Sequence, residues 1–324
     1  MKYNMATLYM AVGLPGSGKS YYAKENFPNA YIASSDKLRE ELWGDENKQG
    51  DNEVLFNTLH RRITGNLLLD NDVVYDATNL NAKRRRKYLK TIEPEHRKVC
   101  LFFLTDIDIC KERNKLRDRT VPDEVIDKMY RSIQIPQYSE GWNEIRIIPC
   151  FDDRKNYNIS ETMDRLIEIP HDNPHHTLSI GNHICAATKY IIDNYSLKFA
   201  GDIERLEVLT EAMFYHDIGK EYTKSFVDSH NKVTDIAHYY GHEYISAYLY
   251  FLYKFKKYSE ENKMSEEEWK KELKRIFYVA YLIENHMSLN SNHTEKFLLG
   301  AKKKFGKETF ENLCIINEAD KVCG

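Results

Sequence analysis

Residues Gly13-Leu14-Pro15-Gly16-Ser17-Gly18-Lys19-Ser20 have the spacing G-x-x-x-x-G-K-[ST], which suits a phosphate-binding loop. Glycines let backbone N–H groups turn inward around a phosphate chain, and a helix opening at the loop adds partial positive charge. Gly13, Pro15, Gly16, Ser17 and Gly18 would then line a bound nucleoside triphosphate. Lys19 would reach its β- and γ-phosphates, and the Ser20 hydroxyl would ligate Mg²⁺. Asp76 follows Val73-Val74-Tyr75, where a second Mg²⁺-linked carboxylate belongs, although Asp76-Ala77-Thr78-Asn79 also reads as a helix N-cap. Asp36, in Ser34-Ser35-Asp36-Lys37-Leu38-Arg39, can accept a proton from an attacking hydroxyl. The alternative is that Ser35 or Asp36 only caps the following helix. Arg113, Arg117 and Arg119 form a third feature, with Arg113 and Arg117 spaced i, i+4 on one helix face. Their planar cations suit charge on a transferred phosphoryl group, or they are solvated surface arginines.

A second constellation lies downstream: His183, His216-Asp217, His242, His286 and Asp320. Each sits beside apolar residues in a different helix-period segment, so helices packed as a bundle can point them at one centre. An ordered His…His-Asp…Asp set with two more histidines is hard to obtain by chance, whereas a lone histidine is usually a core or surface residue. His175, His176 and His238 are nearby alternatives outside this pattern.

The elements that must position these groups fall into two classes. Apolar runs at Thr7–Val12, Tyr31–Ser34, Val73–Tyr75, Val99–Thr105 and Ile145–Ile148 alternate with helical segments. That is the pattern of a doubly wound parallel sheet, an α/β domain over residues 1–158. Beyond about residue 155 the strand signals stop. Helix-period segments at 176–195, 204–217, 241–258, 265–286 and 309–322 predict an all-α domain over 176–324, with Ile218-Gly219-Lys220 ending one helix at a glycine cap. Residues 159–175, with Pro170 and Pro174, read as a linker.

Of 324 residues, 42% are hydrophobic and 30% charged, with a formal net charge of −3. That balance gives no global attraction to nucleic acid, so any such contact must be local. Six cysteines without C-x-x-C pairs suggest reduced thiols rather than a disulfide framework. No apolar run is long enough to span a membrane, and the first strand starts too early for a signal peptide, so the expectation is a cytoplasmic protein. Only four residues follow Asp320, so a subunit contact covering that end, and hence a homo-oligomer, is one expectation.

Residues 5–150 resemble the P-loop polynucleotide 5′-kinase family through Gly13–Ser20, Ser35-Asp36-x-x-Arg39, Asp76-Ala77-Thr78-Asn79, and the lid pattern Arg113-Asn114, Arg117, Arg119, Val121-Pro122. The resemblance implies ATP or another nucleoside triphosphate with Mg²⁺, Asp36 as general base for a 5′-hydroxyl, and Arg39 holding the acceptor strand. It also implies that Arg113 and Arg117 embrace the donor phosphates. Thr78, Asn79 and Arg84, the last from the basic run Lys83–Lys87, fall on the expected acceptor side; a solvated helix face is the other reading of that run. Zeta-toxin-like and small-metabolite kinases share much of the pattern.

Residues 165–324 resemble the HD metal-dependent phosphohydrolase superfamily. By position, His183, His216, Asp217 and Asp320 would bind a main metal ion, and His242 and His286 a second one bridged by Asp217. Such ligands suit Mn, Fe, Co, Ni or Zn, and Lys220 would face the substrate phosphate. Together the two resemblances imply a bifunctional enzyme that heals nucleic-acid ends, RNA or tRNA ahead of DNA. It would phosphorylate 5′-hydroxyls and remove 3′- or 2′,3′-cyclic phosphates. The alternatives are a nucleotide or metabolite kinase fused to a nucleotide hydrolase, and a nucleotide-gated interaction module with a degenerate HD domain.

Overall fold

A computed structural model describes residues 5–45, 48, 50–117, 119–174, 177–261, 264–290 and 294–324. His175 and His176 lie outside the described residues. The chain forms two compact units, Met1–Lys155 and Asn156–Gly324. Among the described residues no helix is long and apolar enough to cross a membrane.

The first unit is the α/β domain that the alternating apolar runs predict. Strands β1 (Thr7–Val12), β2 (Tyr31–Ser34), β3 (Val73–Asp76), β4 (Arg97–Thr105) and β5 (Glu144–Cys150) form one sheet in the order β2-β3-β1-β4-β5, and every pairing is parallel. Leu8, Val73, Val74, Val99, Leu101 and Phe102 are buried, as expected for central strands covered on both faces. The helices are α1 (Lys19–Asn26), α2 (Ser35–Trp43), α3 (Asn52–Leu68), α4 (Ala82–Leu89), α5 (Ile107–Lys115) and α6 (Asp123–Tyr130).

Two caps decide readings that local sequence leaves open. The N-cap of α2 is Ser34, whose hydroxyl accepts from Lys37 N, so Asp36 is not the cap. Helix α4 starts only at Ala82, where Asn81 Oδ1 accepts from Arg84 N at 3.0 Å, so Asp76 simply ends β3. In the basic run of α4, Arg85 is 2% exposed. It makes a fork to Glu140, 2.7 Å at both contacts, and donates to the carbonyls of Asn79, Leu80 and Gln134. Lys83, Arg84, Arg86 and Lys87 are exposed.

The second unit is mostly helical: α7 (Ile159–Ile167), α8 (Ile180–Tyr195), α9 (Ile203–Tyr215), α10 (Lys220–Thr223), α11 (His242–Glu261), α12 (Glu266–Asn285), α13 (Glu295–Phe305) and α14 (Lys307–Val322). Besides the added helices α10 and α13, it departs from expectation at three places. Residues 159–167 are not linker: Asn158 caps α7, which buries Thr162, Met163 and Leu166, an i, i+1, i+4 stripe too short to stand out. The rest of the segment is tied down by a bridge between Pro170 and Ser179. An antiparallel hairpin, β6 (Ser225–Val227) and β7 (Val233–His238), interrupts the helices. Its strands are short and largely exposed, so no apolar alternation marks them. Finally, Gly219 is not a left-handed cap: its φ is −77°. A Cβ there would come within 2.5 Å of His242 O and 2.7 Å of Ser246 N, so the glycine permits close approach of α11.

Candidate functional site

The loop between β1 and α1 takes the shape that its glycines require. Gly16 and Gly18 have φ of 78° and 94°, and a Cβ on Gly16 would lie 2.1 Å from Cys110 O. Pro15 is buried, and Gly13 N donates to Thr78 O at 3.1 Å. Asn79, at φ 47°, donates its side-chain amide to Ala11 O at 2.9 Å. Thr78 and Asn79, expected toward the acceptor, thus brace the loop. Lys19 is buried, donating to Leu14 O at 2.5 Å and Ser17 Oγ at 3.3 Å. Burial pushes its pKa down, against the pull of Asp76. Ser20 Oγ donates to Asp76 Oδ2 at 2.7 Å, the hydroxyl–carboxylate pair that a Mg²⁺-nucleotide would engage.

Beside it lies a cluster centred on Asp36. Arg39 Nη1 reaches Asp36 Oδ1 at 2.9 Å, Arg117 Nη2 reaches Oδ2 at 3.7 Å, and Arg119 forms a close ion pair with Oδ1. The lid therefore differs from an i, i+4 face. Helix α5 ends at Lys115, and Leu116 N and Arg117 N bond to Arg113 O and Asn114 O, a tightening last turn. Buried Asn114 then clasps Val121 in both directions, at 2.7 and 3.0 Å. Arg117 and Arg119 leave on the turn toward Asp36, whereas Arg113 stays on the helix, its Nη1 3.7 Å from where a Cβ on Gly18 would lie. Arg84, expected near the acceptor, lies exposed on α4.

In the second unit the six His/Asp residues named from sequence meet in two sets sharing one carboxylate: His183, His216, Asp217 and Asp320, and Asp217, His242 and His286, all buried. Asp217 Oδ2 faces His216 Nε2 at 3.2 Å and His183 Nε2 at 3.6 Å, while Oδ1 faces His242 Nε2 at 3.2 Å and His286 Nε2 at 3.9 Å. Asp320 Oδ1 lies 3.0 Å from His183 Nε2 and 3.5 Å from His216 Nε2. Each imidazole turns its other nitrogen to a backbone carbonyl: His183 to Cys323, His216 to Met213, His242 to Tyr239 and His286 to Ile283, at 2.6–3.0 Å. A carbonyl only accepts, so Nδ1 donates there and each Nε2 points inward. His242 and His286 consequently set Nε2 against Nε2 at 3.2 Å. His216 Nε2 and Asp217 Oδ1 are buried without a hydrogen-bond partner.

Acceptors facing acceptors in a buried space call for a proton or a bound cation between them. Burial opposes charge on Asp217, yet His216 and Lys220 hold its carboxyl well below the usual carboxylate range. Burial would lower His216, but Asp217 and Asp320 outweigh it and raise it to about 9. Burial, with His242 and His216 alongside, lowers His286 to about 3 and keeps it neutral.

Lys220, also buried, sits 2.6 Å from Asp217 Oδ2 and 3.2 Å from His171 Nε2. His171 was not among the residues expected here. It comes from the segment that reads as linker, and the Pro170–Ser179 bridge and the bond from Ala237 N to Asp172 O help bring it in. Burial and the Lys220 charge lower it to about 4. His238 instead stacks on exposed Tyr240, with centroids 5.4 Å apart.

Residues 8–136 match the AAA domain family. The L-seryl-tRNA(Sec) kinase of Methanococcus maripaludis is 27% identical over 173 residues, covering 50% of this chain and 65% of that protein. The first unit is a P-loop kinase-like domain. The chain spans just under two thirds of the length of that curated relative. Among solved structures, similarity extends to one of the Pnkp1/Rnl/Hen1 RNA repair complex, at 20% identity and a TM-score of 0.35 over 39% of this chain and 43% of that one. A gluconokinase from Sinorhizobium meliloti is 16% identical with a TM-score of 0.34, over 46% of this chain and 85% of its own.

Proposed function

We propose that the chain is a bifunctional end-healing enzyme, phosphorylating 5′-hydroxyl ends of RNA or tRNA in its first unit and removing 3′- or 2′,3′-cyclic phosphates in its second. The observation that carries this reading is the pairing in one chain of two centres with opposite tasks. One is a kinase-like loop with a carboxylate beside it; the other is a buried His/Asp cluster that calls for a cation.

In the first unit Lys19 and Arg113 lie at the loop and neutralise charge on the transferred phosphoryl group. Asp36 takes the proton of the attacking hydroxyl, and Arg39, Arg117 and Arg119 fix its orientation. Arg39, with Asp36, faces the acceptor. In the second unit His183, His216, Asp217 and Asp320 would hold one divalent transition ion and His242 and His286, with Asp217, another. When bound, such ions supply a water of lowered pKa and positive charge toward phosphorus. Lys220 brings a further cation to the phosphate, and the buried walls exclude bulk water.

The test is transfer of a labelled γ-phosphate to matched RNA and DNA oligonucleotides with 5′-hydroxyls and different 3′ ends. Labelled 5′ ends together with loss of 3′-phosphate support the reading. Labelling of mononucleosides or metabolites alone removes it.

A further inference from the structure

A fifth imidazole belongs to the second centre without facing its core. His171 is 2% exposed. Its Nδ1 donates to Leu178 O at 2.7 Å, which leaves the Nε2 lone pair toward Lys220 Nζ at 3.2 Å. The same ammonium lies 2.6 Å from Asp217 Oδ2, the oxygen shared with His183 and His216, and 5.3 Å from the Tyr239 ring centroid. Tyr239 closes the arrangement by donating its hydroxyl to the His171 carbonyl. The His171 ring also packs edge-on against His183, with centroids 5.5 Å apart.

Lys220 and a metal ion thus compete for one carboxylate oxygen. An ammonium has three donors and no acceptor. At 2.6 Å one donor is already on Oδ2. The His171 lone pair and the Tyr239 face hold the rest of the ammonium off the carboxylate, so the side of Oδ2 turned to His183 and His216 stays open to a second cation.

We propose that His171 is a positioning residue that restrains Lys220 and so sets the metal affinity of the Asp217 centre. This inference rests on the reading of that centre as a metal site. The test is calorimetric titration of the full chain with Mn²⁺. His171→Ala, and His171→Leu as a variant that fills the volume without a lone pair, are expected to weaken binding about 10- to 100-fold, the usual cost of losing a group that orients a metal's ligands. His171→Gln, whose amide oxygen can accept from the ammonium, should keep affinity near wild type. In a Lys220→Met background, His171→Ala should have no further effect, because the competing cation is gone. Equal losses in both backgrounds, or no rescue by glutamine, would show a merely structural histidine and overturn the inference while leaving the metal site standing. A wild-type chain that binds no Mn²⁺ overturns both.

Discussion

Asp217 carries two demands at once: it lies between two sets of imidazoles and beside an ammonium. Its substitution therefore gives the sharpest local prediction. Asp217→Asn keeps the shape and removes the charge, and elemental analysis should fall from about one or two metal ions per chain to none. In the first unit, Asp36→Asn should lower phosphoryl transfer by about 10²–10⁴-fold while nucleotide binding, followed by calorimetry, stays intact. Binding lost in parallel would assign Asp36 to the donor site instead. At this scale the sequence marked the six His/Asp residues because each adjoins apolar helix positions. It did not mark His171, nor that Arg119 reaches Asp36, since both depend on how distant segments return.

Elements hold these residues through a few contacts that local pattern cannot reveal. The basic run of α4 is one: four of its residues face water while Arg85 pairs with Glu140 inside. Glu140→Gln leaves a buried guanidinium without its counter-charge and should cost about 3–5 kcal/mol, read by denaturant unfolding. Gly219 is another. Gly219→Ala drives a Cβ into His242 O and Ser246 N, so metal affinity and stability should fall together. A third is His60 on α3, stacked on Tyr88 at 3.9 Å and lowered by burial to about 4. The unfolded histidine, near 6.5, binds protons where the folded one does not. Stability should therefore fall as pH drops from about 6.5 toward 4. His60→Gln should flatten that slope, and an unchanged slope would refute the assignment. Strand and helix order were legible because central parallel strands read as apolar runs. The hairpin and α7 were not, because their buried stripes are too short.

Across the whole chain, the two units divide at Lys155 and Asn156, and each holds the residues named for one of the two proposed centres. The activities should therefore separate by point substitution in the intact chain. Lys19→Ala should silence the kinase and spare the hydrolase; Asp217→Asn should do the reverse. The division falls well before residue 176 because α7 buries its apolar stripe in the second unit. The most direct measurement uses one RNA oligonucleotide bearing a 5′-hydroxyl and a 3′-phosphate, incubated with ATP, Mg²⁺ and Mn²⁺ and the wild-type chain or either variant. The wild type should yield a 5′-phosphate and a 3′-hydroxyl on the same strand, Lys19→Ala only the new 3′-hydroxyl, and Asp217→Asn only the new 5′-phosphate. An oligonucleotide left unchanged at both ends by the wild-type chain would contradict the account.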